Sequence, residues 1–241
     1  MRTSSAKTKQ KKRKASKAPY VFLLPFIVVY LATFLFPALY SLVLSFYKYK
    51  GYGTAKFVGF NNYKSLLNYS TMWKCLGNTL FYFIMSYIPT MLISFCLAVL
   101  VRSKTLKRFQ RFYKPIIFMP QICAVVAASL IFQIIFGGDV GVINQLLGTK
   151  IPFLTDLKYM KWPVVALITW RGIGWYFIIF LAGLTTISED VEEAALVDGA
   201  TPFQKMIHVI LPLMRPTFML TSITYAIGSL KLYTEPNVLL S

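Results

Sequence analysis

Residues Tyr20–Phe46 read "YVFLLPFIVVYLATFLFPALYSLVLSF", and no charged side chain interrupts them. About 20 apolar residues, wound as an α-helix, cross the roughly 30 Å of hydrocarbon in a bilayer. The run is long enough to do this. It follows a basic segment, so a cleaved signal peptide is the competing reading. A signal peptide has an apolar core of only about 7–15 residues and a small-residue cleavage site behind it. This run is longer and no A-x-A follows it, so a retained anchor is expected.

Further along the chain, four more apolar runs occur near 79–101, 115–136, 163–184 and 217–233. The fourth starts behind Trp162, an interfacial residue type, with Pro163 suited to a first helical position. The fifth is shorter and holds Gly228 and Lys231. Charged residues make up 14% of the chain and hydrophobic ones 56%, against about 25% charged in a soluble domain. The sequence therefore predicts an all-α, polytopic helical membrane protein with five spanning helices. Its parts are a basic tail (1–19), a first transmembrane helix (20–46), an extracytoplasmic loop (47–78) and a helical core (79–241).

The charges set the orientation. Net charge is +18, and eight basic residues fall in the first 17 positions. Six more lie in the 13 residues "RSKTLKRFQRFYK" after the second run, and only five are spread over the 32 residues between the first two runs. Such clusters mark cytoplasmic loops, so the tail and the 102–114 loop are expected inside and the loop near Asn61 outside. Distributed this way, the charge argues for a bilayer and against nucleic acid as the partner. The cysteines, Cys75, Cys96 and Cys123, are far apart and form no CxxC or Cys/His cluster, so neither a disulfide nor a metal is expected.

The same alternation places 185–216 in the cytosol, and this loop is unusual. Five of the chain's eight acids, Glu189, Asp190, Glu192, Glu193 and Asp198, fall within ten positions of "SEDVEEAALVDGATPFQKMIHVILP". Ser188 suits a helix N-cap, and acids in the first turn favour the positive end of the helix dipole. Gly199 suits the left-handed residue that ends a helix. Thr201, Pro202 and Gln204 then form a capping-box start, and Pro212 ends or kinks this second helix. The prediction is two short helices about a glycine, acidic and apolar at once. A docking element fits that mixture. The alternative is a hairpin lying on the membrane, where anionic headgroups would repel the acids.

"EAALVDGATPFQKMIHVILP" resembles the EAA loop of ABC-importer membrane subunits. The pattern matches at Glu193, Ala194, Ala195, Gly199, Leu211 and Pro212, with Val209 where the family has Ile. "FVGFNNYKSLL", "NTLFY" and "GDVGVINQLLG" extend the likeness over nearly the whole chain after the tail, toward the carbohydrate branch. The resemblance implies that the loop inserts into a separate cytosolic ATPase, present in two copies. It implies a second, homologous permease subunit and an extracytoplasmic solute-binding protein. Glu193 would pair with a basic group on the ATPase, Ala194 and Ala195 would permit close docking, and Gly199 would hold the angle between the helices. Asp198, Leu211 and Pro212 complete the expected coupling residues. ATP would be used by the partner and no cofactor bound by this chain, which contains no G-x-x-x-x-G-K-[ST]. The family carries another spanning helix after the fifth, so a sixth is expected beyond Ser241, missing here by truncation. The resemblance also implies a multi-pass protein of the plasma or inner membrane, its N-terminus cytoplasmic.

Three polar residues inside the runs are candidates for the cargo path. Arg171 is a costly charge within the fourth run; it either lines the path or pairs structurally with a backbone carbonyl or neighbouring subunit. Gln121 and Gln133 either bond cargo hydroxyls or join helices. Trp170, Trp175 and Tyr225 suit stacking on sugar rings, or aromatic packing. His208, the only histidine, has no carboxylate partner in the pattern and reads as surface or interface. The EAA loop does not encode the cargo, so a non-sugar solute remains an alternative. An ion-coupled carrier is the other, although no acid lies in any run to partner Arg171.

Overall fold

The computed structural model describes residues 18–103, 109–138 and 141–241. The tail at 1–17, Lys104, Lys107 and Arg108 of the basic loop, and Asp139 lie outside the described residues. The chain forms two compact units, Met1–Met72 and Trp73–Ser241.

In the first unit, α1 (Ala18–Tyr30), a π turn (Leu31–Leu35) and α2 (Phe36–Leu44) form one run long and apolar enough to cross a membrane. Two-residue strands β1 (Tyr47–Lys48) and β2 (Lys56–Phe57) then pair antiparallel, and α3 (Asn61–Asn68) follows. Asn62 clasps this loop to the end of its own span. Its Nδ2 donates to Ser45 O at 2.8 Å and Tyr47 O at 3.0 Å, while the Phe46 and Phe60 rings meet edge-on at 5.3 Å.

The second unit carries α4 (Ser70–Arg102), α5 (Gln110–Ile122), α6 (Val125–Phe136), α7 (Val142–Leu147) and α8 (Lys161–Thr185). Then come α9 (Glu189–Val197), α10 (Pro202–Lys205), a π turn (Met206–Ile210), α11 (Leu211–Leu213), α12 (Arg215–Leu230) and α13 (Thr234–Leu239). Helix α8 forms the spine of this unit. Val164, Leu167, Phe177, Phe180 and Leu184 are fully buried along it. Phe180 meets Phe95 of α4 at 5.5 Å and Phe218 of α12 at 4.8 Å, ring to ring. Helix α5 lies so close to α8 that a Cβ on Gly174 would stand 2.6 Å from Ile117 O. Small residues permit this kind of approach between spanning helices.

Among the described residues, three helical segments are long and apolar enough to span a membrane alone: Tyr20–Leu44, Ser70–Arg102 and Lys161–Thr185. Two bent helix pairs meet the same test of length and composition only when each is counted as one. Helices α5 and α6 meet at 91°, and Pro202–Leu213 meets Arg215–Leu230 at 63°. The third apolar run is thus not a straight helix. Cys123 and Ala124 are extended (ψ 131° and 135°), which breaks the ladder, and it restarts where Ala128 N–H bonds Ala124 O. Apolar composition sets the length of a run and leaves its direction open.

The two π turns share a cause. Each ends two residues before a proline, Pro37 or Pro212. A helical proline cannot donate to the carbonyl four residues back, and its ring crowds that carbonyl. Widening the preceding turn relieves the crowding. Accordingly Phe36 N–H reaches back five residues to Leu31 O, and Leu211 N–H to Met206 O.

Candidate functional site

Two regions of the second unit gather the residues singled out above. The first is the acidic loop. Ser188 stands at the N-cap of α9 with extended backbone, although its side chain makes no capping bond. The first turn holds Glu189, Asp190 and Glu192. The end of α9 is closed by paired backbone bonds, Ala200 N–H to Ala195 O at 3.0 Å and Gly199 N–H to Leu196 O at 3.1 Å. This six-to-one and five-to-two pairing is a Schellman ending, which needs a left-handed residue. Gly199 supplies it at φ +78°. The next helix starts with a full capping box: Thr201 N–H donates to Gln204 Oε1 at 2.8 Å, and Gln204 N–H to Thr201 Oγ1 at 3.3 Å.

The two adjacent glutamates divide the work. Glu193 is exposed, as are Ala194 and Asp198, while Ala195 is half-buried. Around them stand bare apolar side chains: Val197 is 88% and Phe203 73% exposed, with Leu196 also exposed. Glu192 instead points into its own chain. Its Oε1 lies 2.7 Å from Arg102 Nη2, a charge contact without hydrogen-bond alignment, and its Oε2 accepts from Lys205 Nζ at 3.0 Å. Arg102 Nη2 also donates to Ile187 O at 3.1 Å. The end of span α4 is thereby tied to both helices of the loop. Leu211 and Pro212 are half-buried where the loop re-enters the helical core. His208 is exposed, with Nδ1 3.1 Å from Gln204 O of its own helix.

The second region is a cavity of about 300 Å³ lined by α4, α5, α8, α12 and α13. Arg171 and Gln121 both line it, with Trp175 and Tyr225. Arg171 does not stand alone: its Nη1 donates to Glu235 Oε1 at 2.9 Å, and both side chains are largely buried. Arg171 Nε, also buried, has no hydrogen-bond partner among the described residues. Tyr225 OH donates to Ser86 Oγ at 2.6 Å, and Ser86 in turn donates to Tyr82 O. Gln121 sits at the end of α5 just before the 91° break, so the bend presents its amide to the cavity.

Two candidates lie elsewhere. Gln133 is not among the lining residues. Its Nε2 donates to Val238 O at 2.7 Å and Leu239 O at 3.2 Å, which joins α6 to α13. In this structure its amide therefore joins helices and does not face the 300 Å³ cavity. Trp170 rests with its ring 5.5 Å from that of Phe132. Sequence reasoning missed Glu235 and Glu192 as partners, although a signal for the first existed. A buried arginine requires an acid, and Glu235 is the one acid after the fifth apolar run. No group of three His, Cys, Asp or Glu gathers among the described residues.

Comparison with known proteins places both regions in one family. Residues 77–241 match the model of the binding-protein-dependent transport system inner membrane component family. The lactose transport system permease protein of Rhizobium radiobacter is 33% identical over 90% of this chain and 74% of its own. The arabinooligosaccharides transport system permease protein of Bacillus subtilis is 32% identical over 92% and 72%. In fold, a bacterial ABC transporter involved in the import of the acidic polysaccharide alginate matches with TM-score 0.77, 23% identity, and 92% and 77% coverage. The segment that builds both the acidic loop and the cavity is thus the segment the family shares: the chain belongs to the binding-protein-dependent transport system inner membrane components, and is a multi-pass membrane transport subunit.

Proposed function

We propose that this subunit carries a saccharide through the membrane and is driven through the loop at 189–212 by a separate cytosolic ATPase. The helix–Gly–helix unit carries the reading: its structure is internally complete, yet it leaves Glu193, Leu196, Val197 and Phe203 facing out. Two ATPase copies would receive this unit and its counterpart on a second permease subunit. Glu193 would pair with a cation of the ATPase. Ala194 and Ala195 let the partner approach the backbone, Asp198 and Gly199 close the turn, and Leu211 and Pro212 pass motion into α12. ATP would bind the partner, with no cofactor on this chain. The tail and this loop would face the cytoplasm, and an extracytoplasmic binding protein would deliver cargo from the other side. Within the membrane, Gln121 and Arg171 would line the cargo path. The saccharide class is supported by the lactose and arabinooligosaccharide relatives.

The test is uptake of labelled lactose and arabinotriose by cells carrying the complete importer. Glu193→Lys and Gly199→Pro should abolish uptake while the subunit still inserts at normal abundance. Unchanged uptake in both variants would sink the docking role. A wild type that takes up neither sugar but does take up an unrelated solute would overturn the saccharide reading alone.

A further inference from the structure

The family does not fix the charge of its cargo, since the fold is shared with an importer of an acidic polysaccharide. The cavity offers its own answer. Among the described residues lining it, Arg171 and Glu235 are the only basic and acidic side chains, and they are bound to each other at 2.9 Å. The lining is electrically balanced. The other polar groups are neutral: the Gln121 amide, the Ser86 and Ser229 hydroxyls and three phenols. Much of their capacity is already used, because Tyr225, Ser86 and Ser229 bond within the chain. Groups open to a guest include the Gln121 amide, the Tyr82 and Tyr176 hydroxyls, the buried Arg171 Nε–H and the Trp175 face. Neutral donors and acceptors of this kind beside an indole face suit ring hydroxyls and the apolar face of a sugar.

An anionic guest would fare differently. It would shed water to enter, and the one cation it meets is already neutralised. Glu235 would repel it at close range, in a setting where water screens weakly. We propose that the Arg171–Glu235 pair makes the cavity selective for uncharged saccharides and against cargo bearing carboxylate or phosphate. The inference rests on the reading of this cavity as the cargo path. Glu235 is then the specificity-determining residue: it holds the guanidinium in place and cancels its charge.

The experiment is equilibrium binding of labelled lactose and of lactobionate, its carboxylate counterpart, to the purified membrane complex without binding protein. Wild type should bind lactose at least tenfold more tightly than lactobionate. Glu235→Gln frees the cation and should tighten lactobionate about tenfold, the scale of one charge-assisted hydrogen bond. Arg171→Gln together with Glu235→Gln should lose that gain. Equal binding of the two ligands by wild type, or a lactobionate change within twofold in Glu235→Gln, overturns the charge inference and leaves the cargo path standing. If neither lactose nor maltotriose nor arabinotriose binds, the cargo-path reading falls and takes the inference with it. Should Glu235→Gln fail to accumulate, the wild-type ratio decides alone, and a ratio near one refutes the proposal.

Discussion

Glu192 offers the sharpest test of how the loop is held. Its carboxylate lies 2.7 Å from Arg102 and 3.0 Å from Lys205. At an effective dielectric of about 20, each contact has a gross Coulomb energy of about 6 kcal/mol. Desolvation and ordering of long side chains offset most of that. About one fifth of each side chain remains exposed, so water screens the rest. A net contribution of about 1–2 kcal/mol to closure of the loop follows. Glu192→Gln keeps the shape, removes the negative charge behind both contacts and leaves two cations as neighbours. Local opening of the loop should then rise by roughly 5- to 30-fold. Hydrogen exchange of the 189–205 amides in the detergent-solubilised subunit reads this directly. Arg102→Met should give a similar rise, and the double variant should fall short of the sum, because both changes delete one interaction. Exchange within twofold of wild type in Glu192→Gln, or strict additivity in the cycle, would refute the tether.

Three other outcomes rest on the packing. Gly174→Val should lower stability by about 1–3 kcal/mol, since its Cβ would meet the Ile117 carbonyl at 2.6 Å and backbone cannot step aside; thermal unfolding in detergent measures it. Gly77→Ala, in open space on α4, should be neutral or slightly stabilising in the same assay. Gln133→Leu strips Val238 O and Leu239 O of their shared donor. It should cost about 1–3 kcal/mol and speed hydrogen exchange at 234–239 ahead of the rest of the chain.

Local features were legible because local chemistry decides them. Gly199, Thr201, Pro202 and Gln204 form the turn and cap that their types dictate, and neither depends on distant contacts. Charge counting located the acidic loop, but it treated all five acids alike. Glu192 and Glu193 are neighbours in sequence, yet a helix turns successive residues about 100° apart. One faces Arg102, 90 positions back in the chain, and the other faces out. Only the packing of α4 beside α9 reveals which. Arg171 and Glu235 are separated by 64 positions and pair for the same reason. The break at Cys123–Ala124 was hidden for another reason, since an apolar run reads the same straight or bent.

The chain path ties the loop to the cavity without any added device. Helix α8 contributes Arg171, Trp175 and Tyr176 to the lining, then runs on to Thr185, just before α9 begins. On the other side of the loop, α12 contributes Tyr225, Gly228 and Ser229. Helix α4 makes the third connection: Tyr82 and Ser86 line the cavity, and Arg102 grips Glu192 about 20 residues or roughly 30 Å further along. The three routes differ in stiffness. Helix α8 is unbroken and free of proline from Arg171 to Thr185, whereas α4 is continuous but carries Pro89 between Ser86 and Arg102. The α12 route passes a π turn and a 63° bend around Met214, where main-chain hydrogen bonds are already irregular. In the proposed coupling, a force on the loop would reach Arg171 along an unbroken helix, Ser86 along a helix that holds a proline, and Tyr225 through a joint. Tyr225 and Ser86 are hydrogen-bonded across the α4–α12 contact. Under that coupling, relative motion of α4 and α12 would strain this bond, and movement of the loop would reshape the cavity there.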